Sequence, residues 1–195
     1  AGSLVPQLSI DSRLCLAAHG VEIGAKFALF PGDDKAQAFV RARTGKPFET
    51  LAADPDAAYV REIVLDVGAM PFVVAKPHQF GNVAPVAEAA GTRINQAIIG
   101  SCANGRFVYL QCVKAGHVAT LLEAGAQVVT PGCGVCQPRV GFLSDGEVCI
   151  TSTTRNFKGR KGSMKAEIYL GGPLTVAAAA LTGEIVDPKE VLRGL

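Results

Sequence analysis

Six cysteines are spread over 195 residues, and two of them form a C-x-x-C pair, Cys133 and Cys136, in Pro131-Gly132-Cys133-Gly134-Val135-Cys136. Such a pair can be a redox couple, half of a zinc site or part of an iron–sulfur site. A thioredoxin-like couple opens a helix, whereas here Pro131 and Gly132 precede the pair and Pro138 follows it, which suits a loop. A four-thiolate zinc site wants a second close pair, and the sequence has none. Cys102 stands alone in a second Gly-containing stretch, Ile99-Gly100-Ser101-Cys102-Ala103-Asn104-Gly105-Arg106. Three loop thiolates fit an iron–sulfur cluster in which one iron lacks a protein ligand, and such an iron is a Lewis acid for a substrate hydroxyl and carboxylate. A third stretch, Thr151-Ser152-Thr153-Thr154-Arg155-Asn156-Phe157-Lys158-Gly159-Arg160, supplies Arg155 and Arg160. Guanidinium groups grip carboxylates in a bidentate fork. Together these residues point to a polycarboxylate held against a metal centre. The plainer alternatives are a loop arginine that is a solvated or ion-paired surface group, and a cysteine that is a small buried hydrophobe. The second applies to Cys15 and Cys112, on expected helices, and to Cys149, in an expected strand.

Each of the three stretches follows an apolar run that reads as a strand. In an α/β sheet the loops after strand C-termini converge on one crevice, where ligands bind. Helices are expected over residues 11–23, capped by Asp11 or Ser12 and stopped by Gly24, over Ala36–Arg43, Val86–Gly91, Tyr109–Ala124 and Pro173–Leu181. Strands are expected at Lys26–Phe30, Arg61–Val67, Phe72–Ala75, Gln96–Ile99, Gln127–Thr130, Val148–Thr151 and Ile168–Leu170. Pro31-Gly32-Asp33-Asp34 reads as a turn or helix cap. Alternating strands and helices argue for an α/β protein with a largely parallel sheet. The Pro-, Gly- and Asn-containing segment Pro77–Val83 suits a crossing between domains, which divides the chain into 1–80 and 81–195, the second carrying the cysteine loops.

Composition narrows the class. Hydrophobic residues make up 49% and charged residues 18%, below the roughly 25% charged residues of typical soluble domains, so there is material for a core and disorder is excluded as the main state. Lys+Arg 19 against Asp+Glu 17 leaves a net charge of +2, and no dense basic stretch suggests nucleic acid. No apolar run approaches the roughly 18 residues of a membrane span. The first residues, Ala1-Gly2-Ser3-Leu4-Val5-Pro6, show no basic or apolar leader and read like the middle of a longer protein. Six cysteines are too sparse for a disulfide scaffold, so a reducing, cytoplasmic setting is expected.

Taken together, the stretches resemble the aconitase superfamily, and within it the large subunit of two-subunit 3-isopropylmalate dehydratases. The matching residues are Leu8-Ser9-Ile10-Asp11-Ser12-Arg13, Glu22-Ile23-Gly24-Ala25-Lys26, Ala53-Asp54-Pro55-Asp56-Ala57, the two cysteine stretches, Arg155-Asn156-Phe157-Lys158-Gly159-Arg160, Ile168-Tyr169-Leu170, Thr175-Val176-Ala177-Ala178 and Asp187-Pro188. The resemblance implies stacked α/β/α layers around a [4Fe-4S] cluster. It also implies dehydration and rehydration that move a hydroxyl between adjacent carbons, as in leucine biosynthesis. By the same resemblance Cys102, Cys133 and Cys136 would ligate the cluster, and Ser101 and Asn104 would lie near it. Arg155 and Arg160 would face a hydroxy-di- or tricarboxylate substrate, and a small subunit would complete the site.

Four departures accompany the resemblance. The family's N-terminal domain, which brings His and Asp residues to the cluster, has no counterpart here. The acidic residue before the Leu8 stretch would fall upstream of Ala1. Gly105-Arg106 runs straight into Phe107-Val108-Tyr109-Leu110-Gln111, where relatives carry a helix and a strand, so the backbone is expected to be interrupted between Arg106 and Tyr109. Ala103 replaces the usual Thr and Thr154 the usual Asn. These departures keep open a non-catalytic iron–sulfur fragment or a Cys₃ zinc module. The sequence does not choose among isopropylmalate, homoaconitate, dimethylmalate and citraconate.

Overall fold

The computed structural model describes residues 2–100, 105–130, 132, 134–136 and 139–193, with residues 105–108 described by backbone alone. The chain forms two compact units, Ala1–Met70 and Pro71–Leu195. The division falls between Met70 and Pro71 rather than at the expected 80/81, because the strand at Val73–Ala75 hydrogen-bonds to a strand near the C-terminus.

In the first unit, α1 spans Ile10–Ala18. Its N-cap is Ser9, ahead of the expected Asp11 or Ser12, and the Ser9 hydroxyl accepts the Ser12 N–H at 3.0 Å, satisfying one of the orphan donors of the first turn. A 3₁₀ turn, His19–Ile23, carries the chain to Gly24 at φ 80°. That left-handed conformation costs glycine alone little, and it stops the helix where the sequence indicates. α2 spans Asp34–Arg41, and its N-cap Asp33 accepts the Ala36 N–H at 3.0 Å. The same carboxylate takes a two-pronged bond from Arg13, 2.8 Å to each oxygen. Arg13 is buried and also donates to the Val5 carbonyl at 2.9 Å. One guanidinium thus ties α1 to the cap of α2 and to the N-terminal turn.

Two strands expected in this unit do not form. Lys26–Phe30 and Arg61–Val67 are irregular. Phe27 and Leu29 are both strongly exposed, as are Ile63 and Leu65. A strand exists only by pairing with another, and among the described residues the first unit offers no partner.

The second unit is built on one five-stranded sheet of order β2-β1-β5-β4-β3. Its strands are β1 Val73–Ala75, β2 Val83–Pro85, β3 Gln96–Ile98, β4 Val148–Thr151 and β5 Glu167–Gly171. The β3–β4 and β4–β5 pairs are parallel, and β1 is antiparallel to β2 and β5. The fold is α/β, as expected. Successive side chains alternate faces. Val74, Ile150, Val176, Ala179 and Ile185 fill the core on one side, with Ala97 and Tyr169 against them. Ala75, Cys149, Ile168, Leu170 and Leu143 fill the other, with Ile98 and Phe80. Cys149 is therefore core.

The remaining helices are α3 Gly105–Lys114, α4 His117–Glu123, α5 Pro173–Thr182 and α6 Pro188–Leu192. α5 packs on β3, β4 and β5. It starts with Pro173 in its first turn, where the missing N–H does no harm, and ends at Gly183 with φ 78°. The single helix expected over Tyr109–Ala124 is instead the pair α3 and α4, because Gly116 adopts φ 78° between them. The expected interruption between Arg106 and Tyr109 is absent: α3 runs unbroken through Gly105–Lys114. Gln127–Thr130 pairs with no strand among the described residues. No helix of the described residues is long and apolar enough to cross a membrane.

The Arg13 bond, with the Ala36 N–H, holds the Asp33 carboxyl at about 2, below its ordinary value of 3.8. A depressed carboxylate contributes stability that is fully present above the ordinary value and is lost as pH falls through the folded one. The first unit is therefore expected to lose stability between pH 3.8 and about 2. In Arg13→Met the Asp33 carboxyl is expected to titrate closer to its ordinary value, read by NMR.

Candidate functional site

β3 and β4 lie side by side and parallel, so the chain leaves both at the same sheet end. The first exit leads through Gly100 to the Cys102 stretch, the second through Ser152 to the arginine stretch. Two bonds at Ser152 join them. Its hydroxyl accepts the Gly100 N–H at 2.9 Å and donates to the Gly100 carbonyl at 3.3 Å, while the Ser152 N–H continues the ladder to the Ile98 carbonyl at 3.0 Å. The C-x-x-C stretch reaches the same place. A Cβ added to Gly100 would sit 3.4 Å from the Val135 side chain, and Val135 lies between the two cysteines of the pair. Gly100, Val135 and Ser152 thus bring the three motif-bearing stretches into contact.

The arginine stretch is held from inside by Asn156, which is 1% exposed. Its carboxamide donates to the Lys76 carbonyl at 3.0 Å and the Ile168 carbonyl at 3.2 Å. One side chain therefore pins the β4–β5 crossover to the end of β1 and to β5. Thr151 and Thr153 bond to each other at 3.2 Å beneath it. Further along, the Lys161 carbonyl accepts the Leu143 N–H at 2.7 Å. Gly162, at φ 119°, lets the backbones close up, since a Cβ there would stand 2.8 Å from the Leu143 carbonyl oxygen.

Of the residues expected at the site, Cys136 is buried, Arg160 half-buried and Arg155 exposed. Arg160 lies over the Phe157 ring at 5.2 Å, a cation–π distance, and its Nε is buried without a hydrogen-bond partner among the described residues. Ser101, Cys102, Asn104 and Cys133 lie outside the described residues. Cys15 and Cys112 are half-buried on α1 and α3.

Lys161 was not expected at all. It is 2% exposed, and its ammonium has no hydrogen-bond partner among the described residues. Its electrostatic neighbours are the Cys149 and Cys136 side chains and the like charge of Arg160. Burial pulls the Lys161 pKa down, the thiols oppose that shift, and Arg160 adds to it. Burial also pushes the Cys149 thiol up to about 11, so it stays protonated and inert, as its place in the core requires. Asn156 and Lys161 sit in a polar, Gly-containing run, and in sequence such a run reads as solvated loop. The one signal available was the pair of cations at Arg160-Lys161.

Asn156→Ala removes the carboxamide bonds to the Lys76 and Ile168 carbonyls. The expected loss of stability is about 1–3 kcal/mol, measured by urea unfolding. Increased protease cleavage within 152–166 is expected alongside it.

A family model described as the aconitase family (aconitate hydratase) matches residues 1–113 and 106–183. The chain is 39% identical to a probable methanogen homoaconitase large subunit of Methanosarcina mazei, over 97% of this chain and 56% of that protein. It is 39% identical to 3-isopropylmalate dehydratase large subunit 2 of Archaeoglobus fulgidus, over 98% of this chain and 53% of that protein. It is 38% identical to the 3-isopropylmalate dehydratase large subunit of Desulfitobacterium hafniense, over 98% and 52%. The chain spans about half the length of the curated relatives it matches. The Methanosarcina match runs over 218 residues, more than this chain contains, so that relative has extra residues inside the matched span. The two stretches matched by the family model overlap at 106–113, where the sequence departs from the family's spacing.

Proposed function

This chain belongs to the aconitase family, and we propose that it forms the cluster-bearing part of a hydro-lyase large subunit that interconverts hydroxy-acid isomers, 3-isopropylmalate first among them. The observation that carries the reading is the meeting of Gly100, Val135 and Ser152, which gathers the three motif stretches at one end of the sheet. Cys102, Cys133 and Cys136 would hold a [4Fe-4S] cluster. When bound, it would supply a Lewis-acidic iron for a substrate hydroxyl and carboxylate. The residues present fit such a group. A thiolate-bound cluster is anionic, and the arginine stretch carries a buried, unpartnered Lys161 nitrogen next to Arg160, neither paired with a carboxylate among the described residues.

In this reading Arg155 and Arg160 grip substrate carboxylates, and the fork geometry fixes which carbon faces the site. Phe157 backs Arg160 and limits its swing. Ser101 and Asn104 would lie in the first cysteine stretch, near the cluster. Asn156 and Ser152 keep the loops in place so that no ordering is needed when substrate arrives. The acid–base groups that move the proton next to the carboxylate are not among the residues assigned here, and we assign them to the rest of the enzyme. A small subunit completes the site, consistent with relatives that carry the name large subunit. The protein would reside in the cytoplasm, where thiols stay reduced, and act in leucine biosynthesis.

Arg155→Lys and Arg160→Lys are expected to leave folding nearly unchanged and to lower kcat/KM about ten- to hundredfold, because each loses a charged bidentate bond of roughly 1.5–3 kcal/mol. Steady-state kinetics of the enzyme with its small subunit, paired with thermal melts, checks this. Near-wild-type kcat/KM in both variants would remove the carboxylate-clamp role.

A further inference from the structure

Phe142, Phe157 and Met164 are 63%, 47% and 63% exposed, and all three gather on one tight turn of the β4–β5 crossover. The turn runs from Phe157 to Gly162. It is closed by the Arg160 N–H on the Phe157 carbonyl at 3.1 Å and the Gly162 N–H on the Gly159 carbonyl at 3.3 Å. Two of its residues are glycines at φ 74° and 119°, and each has an outside side chain where its own would be. A Cβ added at Gly159 would stand 2.6 Å from the Met164 sulfur, and one at Gly162 would stand 3.4 Å from the Phe142 ring. Phe157 belongs to the turn itself and carries Arg160 over its ring. Single exposed apolar side chains are ordinary, whereas a cluster of them marks a contact surface. Aromatic rings, methionine and arginine are the groups that interface centres favour.

The charge around these side chains is of one sign. Residues 152–166 contain Arg155, Lys158, Arg160, Lys161 and Lys165 and neither Asp nor Glu. Lys165 is paired with Asp145 at 2.8 Å, while Lys158 is exposed and has no ion-pair partner among the described residues. A second copy of this chain does not suit such a surface, because a two-fold contact sets a patch against itself and cations would face cations. The complement is an apolar face rimmed with carboxylates. We propose that this turn, with Phe142 and Met164 on it, is the seat of the small subunit, which meets it with such a face. This rests on the two-subunit reading above. The turn carries Arg160, so a subunit seated there borders the substrate carboxylates that it helps to enclose.

The test titrates the full-length large subunit with its small subunit by calorimetry and stopped-flow mixing. The large subunit is taken as wild type and as Phe142→Ser, Met164→Ser, Lys158→Glu and Leu181→Ser. Hydrogen exchange of residues 157–164 is followed with and without the small subunit. Phe142→Ser and Met164→Ser are each expected to raise Kd about tenfold. Lys158→Glu changes an exposed side chain outside the contacts that close the turn, so it folds as wild type does. It is expected to slow association and to flatten the dependence of the rate on salt. Leu181→Ser, exposed near the C-terminal end of α5, should bind as wild type does. The amides of 157–164 should exchange more slowly in the complex. Wild-type binding in Phe142→Ser, Met164→Ser and Lys158→Glu alike, or unchanged exchange of 157–164 in the complex, would overturn the proposal while leaving the two-subunit reading standing. Variants that lose self-association rather than small-subunit binding would assign the patch to a second copy and also overturn it. A wild-type large subunit that binds no small subunit would overturn both.

Discussion

The β4–β5 crossover has to carry charged and polar residues across the end of a mixed sheet without coming loose, and a single buried carboxamide fastens it. Asn156 spends its two N–H donors on the carbonyls of Lys76 and Ile168, so the crossover is fastened to the neighbouring strands on either side of its path. Backbone carbonyls at strand ends otherwise need water; here they are satisfied from above. Everything placed on the crossover, Arg155, Phe157, Arg160 and Lys161, inherits its position from that anchor. Ser152 extends the same logic sideways by bonding both backbone groups of Gly100, and Gly162 extends it forward by letting the crossover lie against Leu143.

The anchored crossover concentrates positive charge. Arg160 and Lys161 are adjacent, and neither is paired with a carboxylate among the described residues. Lys161 is buried, and Arg160 is backed by an aromatic face. Stability alone does not explain such a choice, since apolar residues of similar size would avoid the desolvation cost. Sites that must bind anions tolerate this cost, because the ligand supplies the missing counter-charge. The first unit treats its own buried cation differently: the two terminal nitrogens of Arg13 bond Asp33 and the Val5 carbonyl.

The parts legible in the sequence were those governed by local pattern. Val148–Thr151 and Ile168–Leu170 are apolar runs largely buried in the sheet, and α5 is bracketed by Pro173 and Gly183. The failures share one cause. Lys26–Phe30, Arg61–Val67 and Gln127–Thr130 have strand-like composition, but strand formation depends on a partner that local sequence does not encode. Gly116 divided a helix because its left-handed backbone was compatible with glycine but not announced by it. At the site, residue types in the cysteine and arginine stretches were legible as chemistry. Asn156 and Lys161 were not, because their role comes from burial, and a polar run carries no sign of being buried.

The account depends on the three motif stretches sharing one cluster. Iron and sulfide content of anaerobically reconstituted protein, compared across single Cys→Ser variants at all six cysteines, tests this most directly. The account predicts that Cys102→Ser, Cys133→Ser and Cys136→Ser each abolish stable cluster uptake, whereas Cys15→Ser, Cys112→Ser and Cys149→Ser retain it. Full retention in any of the first three, or loss of the cluster with a normally folded Cys149→Ser, would contradict it.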